Sequence, residues 1–320
     1  MNPRVDETLL GRGRAGFTIV ELLVASAITL LIAGLIVGLI ANSLGSWGRL
    51  QGTLTAEAQA HAVLDRLAQE LQGAIYRDDG GVWLAATVQA GEGASGVWVE
   101  GSKPAAASLD PAAVLFANAR FGVAGVWLRF IATAPGADYR QGDPAVPVAV
   151  AYQIIRRTPT PSGESCHYLL YRSAVTPSGT FAAGYDLSAP VYAVHSSEGG
   201  TAGSLASPGV QQVIADNVID FGVRLYSYAP DPATGEPKLV QIFPVDAADL
   251  EHQSRLPPTA GELRNRFPAV ADLMLRVLTE EGARQIAALE SGQIAGEWWA
   301  IASAHSRVFI RRVAINAGPP

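Results

Sequence analysis

The sequence predicts an α+β protein in which a long N-terminal helix packs on a β-rich head. Three observations lead to this fold class. Residues 17–41 are an apolar run with one charge, and apolar residues then recur at three- and four-residue steps through 60–75. From Val82 onward, short β-rich runs alternate with Gly, Pro, Ser and Asp. A helix on a mainly antiparallel sheet accounts for all three patterns.

Composition excludes several classes of protein. The chain has 320 residues, of which 49% are hydrophobic and 16% are charged, against about 25% charged in a typical soluble domain. Intrinsic disorder requires the opposite balance. The formal charge of −6 argues against a nucleic-acid binder. Cys166 is the only cysteine, which excludes a disulfide scaffold and a cysteine zinc site.

The apolar run 17–41 is long enough to cross a bilayer, whose core of ~30 Å needs about 20 helical residues. Arg4, Arg12 and Arg14 precede it, so we expect a cytoplasmic N-terminus and an exported remainder. A cleaved signal peptide is the alternative. Its apolar region would be only about 7–15 residues, and Ala41-Asn42-Ser43 is a poor cleavage site. We therefore interpret the run as a retained anchor.

Glu21 is the only charged residue within this run. An ionisable group in a membrane span is costly and indicates a functional site. The alternative is that Glu21 lies at the depth of the interface and extends its carboxylate to water.

The segment Gly16-Phe17-Thr18-Ile19-Val20-Glu21 resembles the N-terminal cleavage and methylation motif of type IV prepilins. The resemblance implies that a prepilin peptidase/methyltransferase cuts between Gly16 and Phe17 and methylates the new amine of Phe17. It also implies that Glu21 is an assembly residue, whose carboxylate pairs with the N-terminal amine of a neighbouring subunit. Burying either charge alone is unfavourable, so the pair would set the register between subunits.

Gly34 and Gly38 form a small-xxx-small pair, which permits close packing between helices in a membrane. Many relatives have a proline midway along the span, and this chain has none there. The resemblance further implies the pilin fold, in which the second half of the helix packs on the head.

Helical periodicity continues beyond the span. Ala60, Val63, Leu64, Leu67, Leu71, Ala74 and Ile75 form the apolar stripe, and Asp65, Arg66, Gln69, Glu70 and Gln72 fall on the other face. We predict one helix over 17–77, ended by Asp78-Asp79-Gly80-Gly81. Two helices with a hinge near Gly45–Gly52 remain the alternative. The predicted organisation is a leader over 1–16, this helix, and a head over 78–320.

The head is predicted to be mostly β-structure with two short helices. Strands are expected at Val82–Gln89, Val97–Glu100, Ala113–Ala117, Val126–Ala132, Val146–Arg157, His167–Ala174, Val191–Val194, Val218–Tyr228, Lys238–Phe243, Ala271–Thr279 and Arg307–Ile315. Helices are expected at Thr279–Glu290, with Thr279 as N-cap and Gly292 beyond the end, and at Trp298–His305.

Two segments of the head carry a second, weaker resemblance. Val150–Ile154 with Tyr168–Arg172, and Ile214–Arg224, are similar to elements of large minor subunits, the J-type pseudopilin of type II secretion and the W-type minor pilin. The length of the chain also suits a minor, tip-associated subunit better than a major one.

Motifs for catalysis or metal binding are weak. Gly91–Gly96 matches G-x-G-x-x-G, but a strand-like run follows where a nucleotide site needs a helix. Cys166 and His167 are neighbours that would point to opposite faces of a strand, so we expect an inert thiol. The segments 78–80 and 231–236 carry oxygen ligands suitable for calcium, without EF-hand spacing. Because turns are rich in Asp, we interpret both segments as ordinary turns with calcium binding as the alternative, and we expect no cofactor. We favour Trp298 and Trp299 as core residues.

The leading hypothesis is a structural minor pilin or pseudopilin, not an enzyme, in the bacterial inner membrane with its head in the periplasm. Its expected partners are the prepilin peptidase, other minor subunits and an inner-membrane assembly platform. The alternatives are a filament-tip adhesin or a DNA-uptake pilin, which would need a local basic patch around Arg311-Arg312. A membrane-anchored periplasmic enzyme is the least favoured.

Overall fold

The computed structural model describes residues 18–89, 98–99, 101, 103–104, 110–133, 147–159 and 165–316, without the side chains of residues 41–51 and 53. The chain forms two compact units, Met1–Gln51 and Gly52–Pro320.

The first helix, α1, comprises Ile19–Gln72 and so contributes to both units. The helix includes residues 45–52, where two helices with a hinge were the alternative prediction. The boundary between the two compact units also falls there. The end of α1 lies five residues before the expected Arg77. A β-carbon on Gly73 would lie 2.9 Å from Thr133 Oγ1, and Thr133 N donates to Gly73 O at 3.0 Å. Gly73 thus ends the helix because the chain must pass close to a strand at that point.

Within the first unit, residues Ile19–Ile40 are long and apolar enough to cross a membrane. All of these side chains are exposed. An apolar helix surface of this length that its own unit leaves uncovered is typical of a segment that contacts lipid or other helices.

The second unit contains two sheets. Their strands are β1 (Leu84–Val88), β2 (Val126–Thr133), β3 (Pro147–Arg157), β4 (His167–Ala174), β5 (Val213–Ala215), β6 (Val218–Pro230), β7 (Pro237–Phe243), β8 (Glu251–Ser254), β9 (Val270–Leu278) and β10 (Ser306–Ala314). One sheet has the order β5-β4-β3-β2-β1-β8 and the other β10-β9-β6-β7. Every pairing between these strands is antiparallel, which confirms the predicted α+β class with a mainly antiparallel head.

The described part of the head also contains three short α-helices: α2 (Pro177–Ala183), α3 (Glu280–Glu290) and α4 (Trp298–His305). The prediction of α3 is confirmed together with its ends, since Thr279 Oγ1 accepts from Gly282 N at 3.2 Å and Gly292 has a φ of 76°. The prediction of α4 is also confirmed.

Two predicted strands are wrong, and three of the described strands and α-helices were not predicted. At 113–117 the chain enters a 3₁₀ turn, Phe116–Asn118, and at 191–194 it follows the 3₁₀ turn Pro190–Tyr192. Pro190 begins the second turn, where its fixed φ favours the 3₁₀ conformation. The short edge strands β5 and β8 and helix α2 were missed. The prediction for Val97–Glu100 lies partly outside the described residues, and 98–99 are not in a strand.

The core of the head includes the second part of α1. Its buried apolar side chains are Ala56, Ala60, Val63, Leu64, Leu67, Ala68 and Leu71, in one cluster with residues from both sheets. The predicted stripe is therefore confirmed as the packing face. Glu70 was predicted on the polar face opposite this stripe, yet only 1% of it is exposed, so it is buried in the head.

Candidate assembly site at the N-terminal helix

Thr18 and Glu21 are joined by reciprocal hydrogen bonds at the start of α1. Glu21 N donates to Thr18 Oγ1 at 3.2 Å, and Thr18 N donates to Glu21 Oε2 at 3.0 Å. The Thr18 hydroxyl also donates to the same carboxylate oxygen at 2.9 Å. This is a capping box, in which each side chain satisfies a backbone N–H that the helix leaves without a partner.

The capping box was not predicted, although its signal, Thr-x-x-Glu before an apolar run, is present in the sequence. Both bonds from Thr18 use Oε2 of Glu21, and within the described residues Oε1 makes no hydrogen bond. One oxygen therefore caps the helix while the other is open to a cationic partner. Because both residues lie beyond the predicted cut, removal of residues 1–16 would leave the box intact.

The other predicted site residues are only partly described. Gly16 and Phe17 lie outside the described residues, so cleavage and methylation there stay predictions. At Gly34 and Gly38, a β-carbon would meet no described atom within 4 Å. Their role in helix packing also stays a prediction.

A buried carboxylate fastens the second part of α1 to the larger sheet. Glu70 Oε2 accepts from the Tyr152 hydroxyl of β3 at 2.6 Å, and Oε1 accepts from Arg172 Nε of β4 at 2.8 Å. Arg66, one turn earlier on the helix, contacts the same Oε1 at 3.2 Å. Burial and the neighbouring Glu70 charge raise the pKa of Tyr152, so this hydroxyl stays a donor.

Three arginines of β10 are paired with acids. Arg307 contacts Glu57 at 3.0 Å and Arg311 contacts Asp65, both on α1. Arg312 donates twice to Asp272 of β9, at 2.7 Å. The cationic surface that a DNA-uptake pilin would need around Arg311-Arg312 is thus largely neutralised, which disfavours that alternative.

A second acid with a buried side chain is Glu290, at the end of α3, which contacts Trp298. It accepts from Arg156 Nη2 at 2.7 Å, from the Tyr168 hydroxyl at 2.6 Å and from Trp298 Nε1 at 3.0 Å. Trp298 and Trp299 are 3% and 6% exposed, so both are core residues, as predicted. This carboxylate thus joins α3 to β3, β4 and α4 by hydrogen bonds, which indicates a structural role.

A lysine is buried against the same tryptophans. Lys103 Nζ donates to the carbonyl oxygens of Val123 at 2.9 Å and Ile219 at 2.5 Å. Burial lowers the pKa of Lys103 to about 8, while the nearby carboxylate of Asp220 raises it. The Asp220 carboxylate accepts from Phe121 N at 3.2 Å, and burial raises its pKa. These groups connect irregular segments to β6.

In the two calcium candidates, carboxylate oxygens of Asp79 and Asp231 already accept hydrogen bonds from nearby residues. Asp79 Oδ1 accepts from Gly81 N at 3.0 Å and from Trp83 Nε1 at 2.8 Å, and Asp231 Oδ1 accepts from Ala233 N at 2.9 Å. Among the described residues no three His, Cys, Asp or Glu side chains are grouped to hold a metal. Calcium binding at these turns stays the untested alternative. Cys166 is a free, half-buried thiol.

Comparison with known proteins bears on the N-terminus alone. Residues 11–37 match the family model described as the prokaryotic N-terminal methylation motif. No curated protein and no solved structure matches the chain. The match includes the predicted cleavage residues, the Thr18–Glu21 capping box and most of the apolar helix.

Proposed function

Because the chain carries the prokaryotic N-terminal methylation motif and is thus a type IV prepilin-like protein, we propose that it is a structural minor pilin or pseudopilin. In this role it assembles through α1 into the tip or initiating complex of a type II secretion pseudopilus or a type IV pilus. The observation that carries the proposal is the coincidence of this motif with an exposed apolar helix that bears one carboxylate.

The apolar surface of residues 19–40 supports assembly through this segment. Its side chains are exposed, so in water the surface is unfavourable and requires lipid or neighbouring helices. Glu21 is the one charge within it, and its Oε1 atom makes no hydrogen bond to the described residues. A cationic N-terminus from a neighbouring subunit would pair with that oxygen in an apolar environment.

The head supports the minor rather than the major class. The segments whose sequences resemble large minor subunits are strands: β3 pairs with β4, and β6 contains Val218–Arg224. The head also ties its own part of α1 down by Glu70 and by the β10 pairs, so it is built around the helix that would join the filament.

We place the protein in the bacterial inner membrane as a single-pass protein, with the N-terminus cytoplasmic and the head periplasmic. The positive residues before the apolar run support this orientation. The partners in this proposal are the prepilin peptidase/methyltransferase, other minor subunits and the inner-membrane assembly platform.

Mass spectrometry of the N-terminus tests the proposal. The protein is extracted from membranes of cells that hold a prepilin peptidase, and its first peptide is sequenced. We expect a chain that begins with N-methylated Phe17. An intact leader, or a cut after the apolar run, would contradict the proposal. In-cell photocrosslinking from the 19–40 segment then identifies whether secretion or pilus subunits are the neighbours.

A further inference from the structure

Hydrogen bonds link a serine, a histidine and an aspartate of the head in the same arrangement as the catalytic groups of serine hydrolases. Ser165 Oγ lies 3.1 Å from His167 Nε2, and His167 Nδ1 lies 3.2 and 3.3 Å from the two carboxylate oxygens of Asp216. Ser165 precedes β4 and His167 begins it, whereas Asp216 directly follows β5. The pairing of β5 with β4 brings the aspartate to the histidine across 49 residues of sequence.

The hydrogen bonds assign the tautomer of His167. A carboxylate can only accept, so the contact with Asp216 requires a proton on Nδ1. In the neutral imidazole Nε2 is then an acceptor, and it accepts from the Ser165 hydroxyl. In this arrangement the imidazole is oriented by the acid and placed to remove the proton from the serine.

The three residues line a cleft of about 320 Å³. Its other walls include the apolar side chains of Leu278, Ile286 and Ala287 and the polar residue Asn217. Asn217 has a φ of 58°, a left-handed conformation that follows Asp216 directly. Its side-chain amide makes no hydrogen bond to the residues that the structure describes, so the amide is available as a donor.

We propose that Ser165, His167 and Asp216 form an acyl-transfer site for small carboxylic esters. Ser165 Oγ attacks the ester carbonyl carbon while its proton passes to His167 Nε2. The C–O bond to the alcohol then breaks, and the alkoxide takes the proton from His167. His167 then takes a proton from water, which attacks the acyl carbon; the bond from that carbon to Ser165 Oγ breaks, Oγ takes the proton back from His167, and the carboxylic acid leaves. The Asn217 amide is the donor for the oxyanion, and Asp216 is a positioning residue.

The exposure of the cleft to solvent limits both the substrates that it can bind and the rate at which it can turn them over. The side chains of His167 and Asp216 are 31% and 42% exposed, so water weakens their interactions. We therefore expect slow turnover of short, activated acyl groups that fit against Ile286, not the rate of a dedicated hydrolase. The inference is independent of the proposed role in a filament, because it involves only the head.

A fluorophosphonate probe tests the site on the full chain in detergent micelles. Attack by Ser165 forms an Oγ–P bond, expels fluoride and passes the serine proton to His167. Peptide mass spectrometry locates the labelled residue, and p-nitrophenyl acetate provides the hydrolysis assay. Ser188 is a matched control, because its hydroxyl donates to the Asp186 carboxylate at 2.6 Å and has no histidine among its described contacts.

We expect the probe to label Ser165 and not Ser188. Ser165→Ala should abolish labelling, and His167→Ala should slow it about 100-fold or more. Asp216→Asn should slow it at least about tenfold, and Asp216→Glu, which keeps the carboxylate, should recover part of that loss. Ser188→Ala should change nothing. These residues are at least partly exposed, so we expect the variants to fold normally. Unfolding midpoints equal to that of the wild type would establish that they do.

Absence of label at Ser165 would overturn the proposal. So would labelling of Ser165 at the same rate in His167→Ala, since the hydroxyl would then react without a base. Neither result would affect the role in assembly, which the N-terminal mass and the crosslinks test separately.

Discussion

At the scale of the residue, Glu21 combines two functions in one carboxylate. Oε2 closes the capping box with Thr18, and Oε1 is left for a partner. The box satisfies backbone donors of its own helix, which matters most in an apolar environment where water cannot do so. The intermolecular pairing implied by the motif would use the remaining oxygen.

Substitutions of Glu21 separate these functions. Glu21→Gln keeps the capping box, since glutamine serves at this position too, but removes the charge. Glu21→Ala removes both. Either change would leave the cationic partner without its counter-charge, which is unfavourable in apolar surroundings. We expect both variants to insert normally and both to lose crosslinks to partner subunits.

Thr18→Val is the control for this prediction, because it removes the capping hydroxyl and keeps the charge. It should crosslink more strongly than either Glu21 variant. Wild-type assembly of both Glu21 variants would mean that Glu21 only extends to the interface. Assembly of Glu21→Gln alone would identify the cap, not the charge, as the essential feature.

His252 gives the head a predictable pH dependence. It is 2% exposed in β8, and burial lowers its pKa to about 4 from an ordinary 6.5. Between these values the unfolded chain binds a proton that the folded chain does not. Above about pH 6.5 the neutral imidazole in the core therefore carries no penalty. As the pH falls from there towards 4, the free energy of unfolding decreases by up to about 3 kcal/mol.

Urea unfolding of wild type and His252→Gln at pH 7 and pH 4.5 measures this contribution. We expect the free energy of unfolding to fall more between the two pH values in wild type than in the variant. The carboxylates titrate in both proteins, so the difference isolates His252. Equal pH dependence would show that His252 is accessible to protons in the folded state.

At the scale of the element, the part of α1 within the head is held by two kinds of ion pair. Glu70 is buried with Arg172, whose side chain is 6% exposed, whereas the Arg307 side chain that meets Glu57 is 55% exposed. A buried partner that loses its counter-charge cannot be solvated, but a partner at the rim can. The two pairs should therefore differ in their contributions to stability.

Alanine substitutions compare these pairs directly. Glu70→Ala leaves the Tyr152 hydroxyl and the Arg172 guanidinium without this acceptor, and we expect a loss of about 3–5 kcal/mol in the free energy of unfolding. Glu57→Ala, the matched control, should cost about 1 kcal/mol or less. Urea denaturation monitored by tryptophan fluorescence measures both. Similar costs would mean that Glu70 does not fasten the helix to the sheet.

At the scale of the whole molecule, the apolar segment and the head meet different environments. The head is built around its own buried core, whereas residues 19–40 expose their apolar side chains. Processing of the leader would convert a membrane precursor into a subunit able to join a filament. In the proposed function, that single step couples the chemistry at Gly16 and Phe17 to assembly.

Gly16→Val tests this coupling. A branched side chain next to the predicted bond should hinder the peptidase, so we expect uncleaved precursor in the membrane and no crosslinks to partner subunits. Intact-mass analysis after co-expression with a prepilin peptidase measures the leader. Gly34→Val is the control for leader cleavage but not for the crosslinks, because Gly34 lies away from the cut and is itself predicted to pack against other helices. Normal processing of Gly16→Val would show that the motif is not read.

Much of the head was predictable because its signals are local. β4 and α4 begin and end at the predicted residues, and Thr279 caps α3 as its sequence indicates. The failures also have local causes. The three-residue strand β5 is too short for an alternating pattern, and Pro190 directs its segment into a 3₁₀ turn that hydrophobic content alone did not reveal.

The N-terminal motif, the apolar helix and the antiparallel α+β class can be recognised from the sequence, because each depends on patterns within short windows. The burial of Glu70, the pairing of the β10 arginines with acids and the contact of Asp216 with His167 are visible only in the folded head. Those outcomes depend on which strands pair and which helix face they cover. Sheet pairing joins segments that are distant along the chain, and no pattern within either segment specifies its partner.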